Sequence, residues 1–122
     1  MRTVLRDLTR VSGVQGSVLV DRDGMVILSD LEADLDDERV GAMAAAIVAT
    51  VEDSLHKVHR GPLVHLQMDA QEGKILVQEA GKALLVVLTE KSVNIGLIRL
   101  EIKMAADKLK QQRVARVSAE TA

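Results

Sequence analysis

Three side chains of one predicted helix, Glu52, His56 and His59, have a spacing that could hold a zinc ion. Residues three and four apart lie on the same side of an α-helix, and carboxylate and imidazole groups are ordinary zinc ligands. No fourth strong ligand is evident, and the same half of the helix also carries Lys57 and Arg60. A solvated helix surface is therefore the favoured interpretation, and we expect neither a metal nor another cofactor.

Asp21-Arg22-Asp23-Gly24 begins like a calcium-binding loop. A complete loop needs further oxygen ligands and a glutamate at fixed spacing, and Leu28 and Asp30 do not continue that pattern. The same four residues suit a tight turn, because Asp accepts a hydrogen bond from the backbone two residues on and Gly adopts positive φ without strain. We therefore predict that this segment is the turn of a β-hairpin.

The remaining motifs give no support for catalysis. Gly81-Lys82 resembles part of a phosphate-binding loop, but Leu76 stands where that motif requires its first Gly and Ala83 where it requires Ser or Thr. The sequence has no G-x-S-x-G nucleophile elbow. We expect a non-enzymatic protein with no catalytic residue and no small-molecule substrate.

Composition excludes several further classes of function. The 122 residues include no Phe, Trp or Tyr, so the bases of single-stranded nucleic acid would have no aromatic ring on which to stack. The net charge of -2, with acidic and basic residues intermixed, gives no footprint for nucleic acid or for an anionic membrane. Without cysteine there is no disulfide framework. No apolar run reaches membrane-spanning length. The first ten residues carry four charged side chains, which is unlike a signal peptide. We therefore expect a cytoplasmic protein without membrane insertion.

Hydrophobic periodicity predicts one α+β domain over residues 1–112, followed by a flexible tail at residues 113–122. The run at residues 83–89, ALLVVLT, is continuously apolar and is predicted to lie at the centre of the sheet. The predicted order is α-β-β-α-β-β-β-α, with helices at residues 1–12, 36–60 and from about 94, and strands at residues 17–20, 25–28, 63–68, 74–78 and 83–89.

The second helix is apolar on two sides along its first half. One side is an apolar stripe that should cover the sheet: Val40, Met43, Ala44, Ile47, Val51, Leu55 and Val58. The other side consists of small residues: Gly41, Ala42, Ala45, Ala46 and Ala49. A helix that is apolar all round is a buried helix, and a second copy of the chain is the simplest cover for the small residues. We therefore predict a homodimer, in which Leu63, His65 and Gln67 of the alternating strand contribute as a free sheet edge.

Two segments carry a recognisable pattern, the hairpin GVQGSVLVDRDGMVILSD and the helix NIGLIRLEIKMAADKL, and the Ala-rich second helix and the strand AGKALLVVLTEK fit the same pattern. Together these segments resemble the roadblock/dynein light chain family. The resemblance covers residues 1–110, and the last helix is most similar to the bacterial gliding-motility GTPase regulators within the family.

The resemblance implies a profilin-like three-layer sandwich, with a five-stranded antiparallel sheet between one helix and two helices. It also implies dimerisation through the second helix and third strand, and binding of a small Ras-like GTPase as an activating or scaffolding partner. The GTPase would contact Arg39, Ala42, Ala46, Ala49 and Asp53. The alternative is a structural, light-chain-like subunit of a larger motility or motor assembly.

Overall fold

The computed structural model describes the backbone of residues 1–121 and the side chains of residues 1–113. The elements are α1 (Arg2–Thr9), β1 (Val14–Asp21), β2 (Val26–Leu31), α2 (Asp37–Lys57), β3 (His65–Ala70), β4 (Gly73–Ala80), β5 (Ala83–Thr89) and α3 (Ile95–Thr121). This is the predicted element order. The flexible tail predicted at residues 113–122 stays a prediction, because it lies almost entirely outside the described side chains.

The five strands form one antiparallel sheet in the order β2-β1-β5-β4-β3. The apolar run of β5 lies at its centre, as predicted, and β2 and β3 are its edges. α1 and α3 cover one face of the sheet, and α2 covers the other by contacting β1, β2 and β5. The three-layer sandwich predicted from the resemblance is therefore confirmed. None of the described helices is long and apolar enough to cross a membrane.

Local signals in the sequence explain where the two long helices begin. The Asp36 carboxylate accepts hydrogen bonds from the backbone N–H groups of Glu38 (3.0 Å) and Arg39 (3.3 Å), which otherwise have no partner in the first turn of α2. The side-chain oxygen of Asn94 accepts from the Leu97 N–H at 3.1 Å and caps α3 in the same way.

The hairpin between β1 and β2 is closed by the predicted turn. The Asp21 carboxylate accepts hydrogen bonds from the backbone N–H groups of Asp23 (2.9 Å) and Met25 (3.1 Å), and Gly24 has φ +90°. The Asp21 carboxylate therefore accepts its hydrogen bonds from the backbone of its own turn, which supports a structural role for the segment.

The buried side of α2 is rotated relative to the predicted stripe. Val40 and Ala44 are buried as expected, but Val48 is buried as well, whereas Val58 is 58% exposed beyond the end of the helix. α2 ends at Lys57 because the chain turns at His59 and Gly61, both of which have positive φ.

Candidate protein-interaction surface

The five residues predicted to contact a GTPase all lie on the exposed side of α2. Arg39, Ala42, Ala46, Ala49 and Asp53 follow one another at intervals of three and four residues, so they form one continuous strip along the helix. Only the two ends of this strip are charged. We call these five residues the α2 strip; its centre is a low surface of methyl groups that a partner can approach closely.

Gly41 and Ala45, which were predicted to lie in the dimer interface, are buried within the single chain. The β1–β2 turn packs against this side of α2, and a Cβ atom added at Gly41 would lie 2.9 Å from the carbonyl oxygen of Gly24 and 2.9 Å from Cγ1 of Val20. The expectation that the whole small-residue side needs a second copy is thus corrected. Gly41 and Ala45 contact the chain's own hairpin, whereas the other small residues, Ala42, Ala46 and Ala49, are exposed on the α2 strip.

Among the described residues, the helices pack mainly away from the edge strand β3, because α2 lies on β1, β2 and β5 and α3 lies on β4 and β5. Side chains of a strand alternate between faces, and the register places Leu66 and Met68 on the same face as α2. Both are half-buried, as is Ile75, the β4 residue directly opposite Met68. This side of the sheet edge therefore carries an apolar surface that α2 leaves partly uncovered. We call Leu66, Met68 and Ile75 the β3 margin.

The β3 margin adjoins the core cluster beneath α2. Leu66 and Ile75 pack against the same buried residues as Val51 and Leu55, which are themselves only partly buried on α2. The core between the sheet and α2 is therefore closed toward β1 and open toward β3. Half-buried apolar side chains on both sides of an opening are typical of a protein–protein contact.

The other predicted interface residues fall into different environments. Leu63 is 9% exposed and belongs to the core beneath α2, so it is covered within one chain. His65 is exposed on the opposite face of β3. On that face the Gln67 side-chain oxygen accepts a hydrogen bond from Nε of Arg99 at 3.1 Å, while its amide donates to Asp69 at 2.8 Å. Hydrogen bonds from Gln67 and Lys74 hold the pKa of Asp69 below its ordinary value.

Glu52 fixes the position of α2 in a way that local sequence patterns do not reveal. One carboxylate oxygen accepts from Arg22 of the β1–β2 turn at 2.5 Å, and the other accepts from the backbone N–H of Leu63 at 3.1 Å. A single side chain thus ties α2 to the hairpin and to the segment that leads into β3. Glu52 therefore has a structural role, although its helical spacing from His56 and His59 is also that of a zinc ligand.

The described residues contain no group of three or more His, Cys, Asp or Glu side chains that could hold a metal ion. Arg39 forms no salt bridge within the same part of the chain, although three acidic residues precede it. The surface therefore offers shape, apolar contact, the guanidinium of Arg39 and the carboxylate of Asp53, which pairs with Lys57 at 3.0 Å.

Comparison with known proteins assigns the family. The family model described as the Roadblock/LC7 domain matches residues 2–89. An uncharacterised protein of Methanocaldococcus jannaschii is 44% identical over 107 residues, which cover 88% of this chain and 91% of that protein.

Two solved structures show the same fold. Myxococcus xanthus MglB superimposes with a TM-score of 0.88 at 22% identity, covering 93% of this chain and 94% of that one. Acanthamoeba castellanii profilin II superimposes with a TM-score of 0.65 at 14% identity, covering 91% of this chain and 97% of that one. The matched family model and the relative at 44% identity together show that this chain belongs to the Roadblock/LC7 family.

Proposed function

We propose that the protein is a cytoplasmic, non-enzymatic homodimer that binds and regulates a small Ras-like GTPase. The single observation that carries the proposal is the position of the α2 strip beside the β3 margin at a free sheet edge. One chain leaves both surfaces uncovered, and a second copy supplies a matching pair. The choice of a GTPase as partner comes from the sequence resemblance to the gliding-motility GTPase regulators, and the fold shared with MglB is compatible with it.

The dimer contact uses β3 and α2 together. β3 is a sheet edge with unpaired backbone groups, and two copies of such an edge can pair across a two-fold axis to continue the sheet. The same pairing brings the β3 margins of both chains together with the half-buried side of each α2. Because Ala42, Ala46 and Ala49 have short side chains, the two helices can lie close to each other.

Charge along α2 favours an antiparallel arrangement of the two helices. The helix begins with Asp36, Asp37 and Glu38 and ends with His56 and Lys57. In an antiparallel pair the acidic end of each helix lies beside the basic end of the other. A parallel pair would place like charges together, which is unfavourable.

The proposed mechanism is selection of one GTPase conformation by the shape of the paired helices. A surface that binds one arrangement of the GTPase switch loops more tightly shifts the population toward it. An arginine finger would instead place a guanidinium at the transferring phosphate and contribute a rate factor of about a thousand or more. Arg39 and Arg60 are exposed near opposite ends of α2, whereas Arg99 bonds Gln67 on the other face of the sheet.

Single-turnover GTP hydrolysis by the cognate GTPase tests this mechanism. The GTPase is first identified by capture from native lysate on the immobilised protein. We expect Arg39→Ala and Arg60→Ala to lower the hydrolysis rate by less than about tenfold, because neither supplies a catalytic group. Ala49→Glu should cause the larger loss, because its side chain obstructs the strip. A thousandfold loss from one arginine with binding intact would contradict selection by shape.

The alternative function is that of a structural subunit of a larger motility or motor assembly. The exposed α2 strip and the β3 edge are also compatible with this function. Nucleotide dependence separates the two functions. A regulator must bind the GTP-bound and GDP-bound forms of its GTPase with different affinities, because equal affinity shifts no equilibrium. Equal affinity for both forms would favour the structural subunit.

A further inference from the structure

The face of the sheet opposite α2 contains a cavity of about 310 Å³ between α3 and the β3–β4 edge. Its floor is apolar and includes Leu76 and Ile102, both of which are almost completely buried. Val64, 63% exposed, extends the apolar surface at the rim. A cavity of this size suits one or two side chains of a partner, in the manner of the anchor pockets found at the centre of interfaces.

The polar lining of this cavity includes two cationic side chains, Arg99 and Lys103, together with His65 and Gln78. His65 contributes from β3, and Arg99 and Lys103 contribute from successive turns of α3. No Asp or Glu of the described residues lines it. Lys103 forms no salt bridge within that part of the chain, and Arg99 uses two of its nitrogens to donate to Gln67. A guanidinium carries five N–H donors, so Arg99 keeps capacity for an acidic ligand.

The carboxylate of Asp69, on the same face of β3 as His65, is already engaged. Oδ1 of Asp69 accepts hydrogen bonds from Gln67 at 2.8 Å and from Nζ of Lys74 at 3.1 Å. Asp69 therefore pairs with Lys74, interacts electrostatically with Arg99 and lies outside the cavity lining. An approaching ligand meets cationic groups above an apolar floor, which favours an acidic group attached to an aliphatic one.

From this complementarity we propose that the cavity binds an acidic peptide segment of a partner protein, with an aliphatic side chain anchored on Leu76 and Ile102. The cavity is open to solvent on one side, so a free small molecule would leave much of its surface exposed. Typical small-molecule sites bury roughly 70–90% of their ligand. A peptide side chain needs no such enclosure, because the rest of its chain lies outside the cavity. The cavity is complete within one chain, so this proposal does not depend on the dimer or the GTPase.

Fluorescence anisotropy with a labelled peptide tests the proposal on the full chain. The probe is LEADLDDE, the sequence of residues 31–38, which places five carboxylates and two leucines in eight residues. The control peptide LQANLNNQ keeps the leucines and replaces each carboxylate by its amide. We expect saturable binding of the acidic probe, and binding of the amide control weaker by about tenfold or more.

Matched variants locate the binding. Lys103→Ala should weaken the acidic probe by about fivefold to tenfold, since it removes one charge-assisted contact, and Lys103→Glu should remove measurable binding. Lys108→Ala removes the same charge from the exposed surface of α3 outside the cavity and should change the affinity by less than about twofold.

The proposal is overturned if the acidic probe shows no saturable binding up to about 1 mM, a weak affinity by any standard. Equal binding of the two peptides would also overturn it, as would equal losses in the Lys103→Ala and Lys108→Ala variants. Failure of the dimer contact leaves the peptide result unaffected, so the two proposals fail separately.

Discussion

Replacing Glu52 tests whether the contacts that hold the interaction surface in place have been correctly identified. Its carboxylate bonds Arg22 at 2.5 Å and the Leu63 N–H at 3.1 Å, and these contacts join α2 to the hairpin and to the approach of β3. In Glu52→Ala both contacts are lost. In Glu52→Gln the amide oxygen can still accept from Leu63, while the ion pair with Arg22 is lost.

The solvent exposure of each partner determines how much each Glu52 contact contributes to the free energy of unfolding. The Arg22 side chain is 37% exposed, so its ion pair contributes at most about 1 kcal/mol. A backbone N–H bonded to a carboxylate contributes about 1.5–3 kcal/mol, and partial burial of the Leu63 bond favours the lower end. We therefore expect the free energy of unfolding to fall by about 2 kcal/mol in Glu52→Ala and by about 0.5–1 kcal/mol in Glu52→Gln.

Urea unfolding followed by far-UV circular dichroism measures this difference, because the chain has no Trp or Tyr to report by fluorescence. All variants are compared at one protein concentration, since association adds to apparent stability. Asp53→Ala is the matched control; its carboxylate pairs only with exposed Lys57 at 3.0 Å, and it should lose less than about 0.5 kcal/mol. The reasoning is refuted if Glu52→Ala is as stable as the control, or if Glu52→Gln loses as much as Glu52→Ala.

Two further predictions concern the hairpin turn and the attachment of α3. Gly24→Val should lower the free energy of unfolding by about 2–4 kcal/mol, because φ is +90° and a Cβ would lie 3.2 Å from Cα of Ala42. Asp23→Asn should stay within about 0.5 kcal/mol of wild type in the same urea unfolding measurement. Tight calcium binding in a calorimetric titration, abolished by Asp23→Asn, would contradict the structural role of the turn. Partial burial acts to raise the pKa of Glu79, but hydrogen bonds from Lys110 (3.0 Å) and the Gly81 N–H (2.6 Å) outweigh it and hold the pKa below its ordinary value. Because the folded-state pKa is lowered, the stabilisation is present above the unfolded-state pKa and is lost as pH falls through the folded-state pKa. Glu79→Gln should therefore melt below wild type at neutral pH and match it in strong acid; a difference that persists in acid would contradict this origin.

The sequence was sufficient for the fold because its elements carry strong local signals. The continuous apolar run of β5 marked the centre of the sheet, and Asp36 marked the start of α2 through its cap. Alternation of polar and apolar residues marked β3 as an edge, although the strand itself extends over His65–Ala70. Each of these signals depends on neighbours within a few residues, so it can be read without knowledge of the tertiary structure.

The parts of the site that were not predicted depend on contacts between distant segments. Gly41 and Ala45 have the small side chains expected of a helix–helix contact, but they accommodate the chain's own turn at Gly24. Nothing near either residue distinguishes the two uses of a small side chain. Glu52 likewise finds its partners at Arg22 and Leu63, which lie 30 and 11 residues away in sequence. Helical spacing alone grouped it with two histidines.

The burial of Ala45 within one chain makes this residue unsuitable for a test of the dimer. Ala45→Glu would place a charge against the hairpin inside one chain and would unfold it, so loss of the dimer would be ambiguous. Ala46 is exposed on the α2 strip, where glutamate is compatible with the folded single chain. Gln111→Glu adds the same charge to the exposed surface of α3 and serves as its control.

The molar mass in solution, measured by light scattering at micromolar concentration, tests the proposed dimer most directly. Wild type and Gln111→Glu should both show twice the chain mass of 13.2 kDa. Ala46→Glu should show the mass of one chain with an unchanged circular dichroism spectrum, because pairing would bury an uncompensated charge. A monomeric wild type, or an Ala46→Glu protein that remains a stable dimer, would contradict an interface built on α2.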